Sequence, residues 1–520
     1  MPSANFNLML FLKRIFPFFF CFSSLLFLLL VFSSSLLAKE AQITILFTND
    51  HHGQVEPLHV SNASKPVGGV ARRMALIQKI RQEVGEKNVI LVDSGDLFRG
   101  TAFSEMTNGK VDCAAYQLMK YDAIGLGEQD FDYGKKTLLE YRKEFGLPWV
   151  SANVVSAGQP FIRPYVLKSA GNIRVGLIGF STQDALSVAR RENVRGLIFN
   201  PPDAAAKGLH SIFKKDADIF VVLSRLGVEG DKKLAKGNSY LHVIIGGRSQ
   251  TVLATPVVTK MKDGTLVGPI IGQAGAQGLY LGRLDLSIEG HRDPKTKNAT
   301  YSITDYHYQL IPITADLPED PDMVALLDKY GSRLKQKPLD EPLAEAVTAD
   351  ANNQGDSVWG QLAADEIRKA TQADVALINS DFFHSDFQTG TITREILYEM
   401  LPTDNEIVTV EIPGTYLRKT LEIAELKRGQ GAFLQISGLK VQRTGDSLSI
   451  WVNNEPLKDH QKYQLALNDF LADGGDGYEQ LRRLKYRKRT DIMIRELLEN
   501  ALKARKKIAF TDSEKRWIFQ

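Results

Sequence analysis

Five short apolar segments of this chain each end in acid, imidazole, amide or guanidinium groups. Ile43–Thr48 runs into Asn49-Asp50-His51-His52, and Val89–Val92 into Asp93-Ser94-Gly95-Asp96. Ala123–Leu126 leads to Glu128, Gln129 and Asp132, Ile219–Leu223 to Ser224-Arg225, and His242–Ile245 to Arg248-Ser249-Gln250. Carboxylates and imidazoles can move protons or offer lone pairs to a cation. Arginine stays protonated and has no lone pair, so Arg225 and Arg248 can supply positive charge but cannot ligate a metal.

The elements that must position these groups follow one pattern from Ala41 to about Ile313: a short apolar strand, a polar loop, then a helical stretch. A further strand, Arg174–Phe180, fits the same series. Apolar strands with functional groups at their C-terminal ends are the layout of an α/β layered enzyme, with those ends converging on one crevice. Pro318-Glu319-Asp320-Pro321 then starts a helix whose apolar positions Met323, Leu326, Leu327 and Tyr330 recur at helical spacing. Lys335–Pro342 is charged and exposed. From about Leu343 helices (Gln361–Thr371, Tyr416–Leu426, Asp491–Ala504) alternate with strands (Val375–Ile378, Ile407–Ile412, Lys462–Leu467), an α+β pattern. The expected division is a first domain over 41–317, a linker helix and hinge over 318–342, and a second domain over 343–520.

A chain of 520 residues with 43% hydrophobic content can bury at least two cores. Its net charge of +3 is too mild to point to nucleic acid. Lys13 and Arg14, an apolar run from Ile15 to Phe32 and the small-residue patch up to Ala38 read as a secretory signal over 1–38, giving a periplasmic or extracellular protein. The alternative is an uncleaved span that anchors the chain. Cys21 lies in that run, which leaves Cys113 as a buried, inert thiol without an intrachain partner. The basic run Arg482–Arg489 reads as a solvated face or as a contact for an anionic surface.

Several motifs carry a resemblance. They are Thr48-Asn-Asp-His-His-Gly53, Gly68-Gly-Val-Ala-Arg72, Asp93-Ser-Gly-Asp96, Phe131-Asp-Tyr-Gly134 and Gln273-Ala-Gly-Ala276 with Tyr280-Leu-Gly-Arg-Leu-Asp285. Ala373-Asp-Val-Ala-Leu377, Gln435-Ile-Ser-Gly-Leu439 and Asn468-Asp-Phe-Leu-Ala-Asp-Gly-Gly-Asp-Gly-Tyr478 follow in the second half. In this order the chain resembles the exported 5'-nucleotidase family. That resemblance implies an α/β fold: an N-terminal four-layer metallophosphoesterase sandwich, then a smaller α+β 5'-nucleotidase C-terminal domain. It also implies a metal-dependent phosphoester hydrolase.

The same resemblance locates departures. Its first metal site maps to Asp50, His52 and Asp96, with Gln250 where the family has histidine, a set that suits Mn²⁺, Zn²⁺ or Mg²⁺. The alternative is a hydrogen-bonded Asp50–His52 pair that holds the loop. The second site maps to Asp96, Glu128, Arg225 and Arg248, which reads as a metal replaced by a salt bridge; the alternative sends both arginines to solvent. Gln129 replaces the histidine that partners Asp132, leaving Asp132 as the one catalytic-type carboxylate.

In the second half the phosphate loop reads Asn379–His384, with His384 for arginine, and Gly355–Gln361 lacks the family's arginine. Thr403 replaces a base-stacking phenylalanine, and Tyr478 remains able to stack. The expectation is at most one divalent ion and a small anionic or phosphorylated ligand. Three readings follow: a pseudoenzyme or accessory binding protein, a divergent single-metal phosphohydrolase acting on nucleotides or other phosphoesters, and a membrane-anchored interaction protein.

Overall fold

The computed structural model describes residues 39–519 except 61–62, 185–191, 214, 259–265, 293–298, 333–336, 348–355, 384–388, 402–404, 446 and 509–514. The expected signal over 1–38, His384 and Thr403 therefore lie outside the described residues. Among the described residues no helix is long and apolar enough to cross a membrane.

Two sheets stack in the first half of the chain. The first contains β1 (Lys39–Thr48), β2 (Val89–Asp93), β3 (Ala123–Gly125) and β4 (Trp149–Val150) in parallel, with β10 (Tyr280–Arg292) and β11 (Ala299–Pro312) added antiparallel beside β1. The second contains β5 (Tyr165–Ala170), β6 (Ile173–Phe180), β7 (Ile219–Ser224), β8 (Val243–Gly246) and β9 (Ile270–Gly272), in the order β9-β8-β7-β6-β5.

Side-chain alternation explains the stacking. Ile43, Ile45 and Phe47 of β1 and Ile90 and Val92 of β2 meet Val175, Leu177, Val221, Leu223 and Ile245 between the sheets. Leu46, Leu91 and Ile124 face the other way, onto α1 (Val70–Val84) and α2 (Lys110–Met119). Phe180, Val222 and Ile244 face Leu234 of α3 (Gly227–Gly237). Helix, sheet, sheet and helix give four layers, with both faces buried along the central strands of each sheet. Cys113 sits fully buried in α2.

The linker segment forms α4 (Pro321–Gly331), whose N-cap Asp320 accepts from the Met323 amide at 2.9 Å. Met323 and Tyr330 enter the core beneath α1 and α2. The second half is built on a mixed sheet of β12 (Val375–Asn379), β13 (Glu406–Pro413), β14 (Leu434–Ser437), β15 (Lys462–Asn468) and β16 (Lys488–Met493). Helices α5 (Val358–Thr371) and α8 (Ile494–Arg505) cover one face and α7 (Gly414–Glu425) the other, and α6 (Arg394–Met400) lies toward the first half. The last helix begins at Ile494 rather than at the expected Asp491. Lys488–Met493 is instead pinned to β13, and Asp491 takes a left-handed φ of 57° where its amide donates to Glu406.

Candidate functional site

The C-terminal ends of β1, β2, β3, β7 and β8 bring Asp50, Asp96, Glu128, Arg225 and Arg248 together. The turns that follow are unusual in their backbone. Asp50, His52, Asp96, Arg248 and Gln250 all have φ between 50° and 73°. Non-glycine residues rarely adopt that region, and it recurs where a loop must aim side chains inward.

Arg225 is the centre of the cluster. Its side chain is fully buried; Nη1 donates to Asp50 Oδ1 at 3.0 Å and Nη2 to Asp96 Oδ2. Its Nε faces Glu128 Oε2 at 3.6 Å. Burial opposes the charge, but Asp96, Asp50 and Glu128 outweigh it and push the guanidinium pKa up. Arg225 is a permanent cation held by three carboxylates. Burial lifts the Asp96 carboxyl, and Arg225 opposes that shift.

Glycine makes the room. A Cβ on Gly247 would stand 2.5 Å from Arg225 Nη1 and 3.1 Å from Asp50 Oδ2.

Arg248 plays a smaller part than expected. Its Nε donates to Glu128 Oε1 at 3.0 Å and Nη2 to Asp184 at 3.1 Å, with a third of the side chain exposed. It does not reach Asp96 as the sequence reading had it; its backbone amide instead donates to both Asp50 oxygens, at 3.1 and 2.9 Å. The solvent-facing alternative fails outright for Arg225.

His52 stands beside the cluster between two amides. Nδ1 lies 2.5 Å from Gln129 Oε1 and Nε2 lies 2.9 Å from Gln250 Nε2. A neutral ring with its proton on Nδ1 satisfies both contacts, and burial lowers the pKa in agreement. Asp50 Oδ1 is 3.7 Å from His52 Nε2, too far for the hydrogen-bonded pair considered above. His51 points away, with Nδ1 3.2 Å from an Arg73 guanidinium nitrogen and Nε2 3.3 Å from Asp112.

Among the described residues Asp50, His52 and Asp96 are the group able to converge on a cation, with one ligand-capable atom each within 4.8 Å of the others. Asp50 Oδ1 and Asp96 Oδ2 accept from Arg225, and Glu128 Oε1 accepts from Arg248. A single ion at Asp50, His52 and Asp96 would have to displace the Arg225 contacts and the Gln250 amide.

A cleft of about 1020 Å³ lies in front, lined by His52, Gln129, Asp132, Gln250 and Arg99 on one side and by Glu395 and Glu399 of α6 on the other. Asp50, Asp96 and Arg225 do not line it. The row Gln129–His52–Gln250 is the wall between cleft and cluster. Asp132 faces Arg99 Nε at 3.3 Å.

Three supporting residues escaped the sequence reading. Asp130 accepts from the amides of Gly127 (2.7 Å), Leu97 (2.8 Å) and Asp96 (3.2 Å), which locks two loops together. Burial, opposed by the Gly127 and Leu97 amides, raises its pKa to about 7. Asn49 donates to Asp50 Oδ2 at 2.7 Å, and Arg99 forms part of the cleft wall. Asp130 stood inside the Glu128–Asp132 loop, but nothing in its type separates a loop brace from a ligand.

In the second half Asn379 is buried and accepts from Asn468 at 2.9 Å. Tyr478 is corrected: its ring is fully buried and its hydroxyl donates to the Ala432 carbonyl at 2.7 Å, so it presents no face for stacking. Neither residue lines the cleft.

Comparison with known proteins finds similarity over most of the chain. Residues 336–483 match the family model of the 5'-nucleotidase C-terminal domain. A 5'-nucleotidase of Homo sapiens is 27% identical over 500 residues, 85% of this chain and 84% of its own length. Protein UshA of Yersinia enterocolitica is 26% identical, covering 89% of this chain and 90% of its own. The solved structure of a 5'-nucleotidase precursor from Thermus thermophilus superimposes with a TM-score of 0.73 at 28% identity, over 92% of this chain and 99% of that one. Both halves of the chain are thus similar to 5'-nucleotidases. Within that 5'-nucleotidase fold, the ends of the parallel strands carry a guanidinium–carboxylate cluster.

Proposed function

We infer that this 5'-nucleotidase family protein is an exported pseudoenzyme or accessory protein that binds a small anionic or phosphorylated ligand without two-metal hydrolysis. One observation carries the reading: the buried Arg225 guanidinium bonded to both Asp50 and Asp96. In-line attack by a hydroxide shared between two ions needs those oxygens. Gln129 also lacks the acid–base capacity to assist Asp132. The cleft of about 1020 Å³, separated from the cluster by Gln129, His52 and Gln250, offers the room for a ligand, with Arg72 and Arg99 as the cations in its lining.

The test is turnover of AMP and of UDP-sugars by the purified chain across Mn²⁺, Zn²⁺ and Mg²⁺, with an Asp96→Ala variant as control. No activity above that variant is expected. Robust turnover abolished by Asp96→Ala would instead establish a divergent phosphohydrolase. The convergence of Asp50, His52 and Asp96 within 4.8 Å favours that second reading, with one ion and Arg248 as charge stabiliser.

A further inference from the structure

The run Arg482–Arg489 holds six cations: Arg482, Arg483, Lys485, Arg487, Lys488 and Arg489. Three face acids. Arg487 meets Asp473 at 2.9 Å, Arg489 meets Glu406 at 2.7 Å and Glu192 at 2.6 Å, and Arg482 lies 3.5 Å from Glu479. Arg483, Lys485 and Lys488 are exposed and have no carboxylate partner among the described residues. Between them Tyr486 is 88% exposed at φ 61°, a left-handed turn that throws a large ring into water while Leu484 packs inward.

An aromatic ring with a polar tip, set among unpaired cations, suits the boundary between water and an anionic bilayer, where the ring enters the headgroup layer and the cations meet phosphates. A single ring on a short turn, in a chain of net charge +3, is a poor platform for a nucleic acid strand, which needs successive stacking rings along a basic groove. We propose that the turn from Arg483 to Lys488 docks this protein on an anionic lipid surface. The surface is separate from the cleft, so the proposal stands whether or not the cleft binds a ligand.

The experiment is sedimentation of the purified full chain with vesicles of phosphatidylcholine alone and of phosphatidylcholine mixed with phosphatidylglycerol. The neutral vesicles report any contribution from the N-terminal apolar run. Each unpaired cation is worth about 5-fold in partitioning, so R483Q/K485Q/K488Q should weaken binding to the mixed vesicles by roughly 100-fold. Tyr486→Ser should weaken it further without changing the salt dependence, and Lys485→Arg should bind like the native chain. An unchanged thermal melt confirms that each variant is folded. Equal binding to both vesicle types, or no loss in the triple variant, overturns the proposal. Retention on immobilised heparin with no vesicle binding also overturns it, and makes a soluble polyanion the partner.

Discussion

A guanidinium and a divalent ion meet the same electrostatic demand by different means. Asp50, Asp96 and Glu128 converge at the ends of three strands and cannot all stay ionised in a buried site without a cation. Arg225 supplies that cation through fixed donors and needs no loading from solution. Arg225→Ala should therefore cost roughly 3–5 kcal/mol, the range for orphaning a buried charge. Arg248→Ala should cost about 1 kcal/mol or less, because a third of that side chain is already in water. Adding Asp96→Asn to Arg225→Ala should restore part of the loss. Denaturant melts of these variants decide the matter, and equal small effects would place Arg225 outside the load of the fold. The residue types alone showed that neither arginine could be a ligand. Which carboxylates each would reach was not legible, because that depends on the left-handed turns at Asp50 and Arg248 and on the gap at Gly247. A second residue-scale expectation concerns Asp112, whose pKa burial raises from 3.8 to about 7. Between those values the folded state holds a proton that the unfolded state has lost, so this group lowers stability as pH rises from about 4 to about 7. Asp112→Asn should flatten that part of the stability–pH profile; an unchanged slope would assign it elsewhere.

The elements that carry the site were the most readable part of the chain. β2, β7 and β8 are buried along their whole length, as are β1 from Ile43 and β6 from Val175, and all five fall within a few residues of the expected strands, because burial on both faces leaves little room for polar positions. The final helix was misplaced at its start, since the edge strand Lys488–Met493 is polar and gains its identity only by pairing with β13. Loops are where element and chemistry meet. Gly247→Ala should push Arg225 or Asp50 aside and destabilise the protein by about 1–3 kcal/mol, as overpacking does. Gly208 is helical with nothing within 4 Å of its Cβ position, so Gly208→Ala should be neutral or stabilising by up to about 1 kcal/mol. Thermal melts of the pair read the contrast directly. Equal effects would mean that the β8 turn is not tightly fitted around the guanidinium.

At the scale of the molecule, charges run in a row from the second half to the cleft wall. Arg495 of α8 lies 3.6 Å from Glu105, Glu105 lies 3.4 Å from Arg99, and Arg99 lies 3.3 Å from Asp132. Glu395 and Glu399 of α6 close the other side of the cleft. Motif order made the two-part 5'-nucleotidase architecture legible from sequence. The cleft wall was not, since Gln129, His52 and Gln250 come from three separate loops and meet only through the sheet stacking. Tyr478 was misread for a similar reason: the Gly474–Gly477 turn folds it into the core rather than toward a ligand. An Arg225 guanidinium standing where a dinuclear centre would lie limits the cations this chain can hold. Elemental analysis of the chain, purified without chelator and equilibrated with Mn²⁺, Zn²⁺ and Mg²⁺, tests it most directly. At most one divalent ion per chain is expected; two tightly held ions per chain would mean that Arg225 does not take that place.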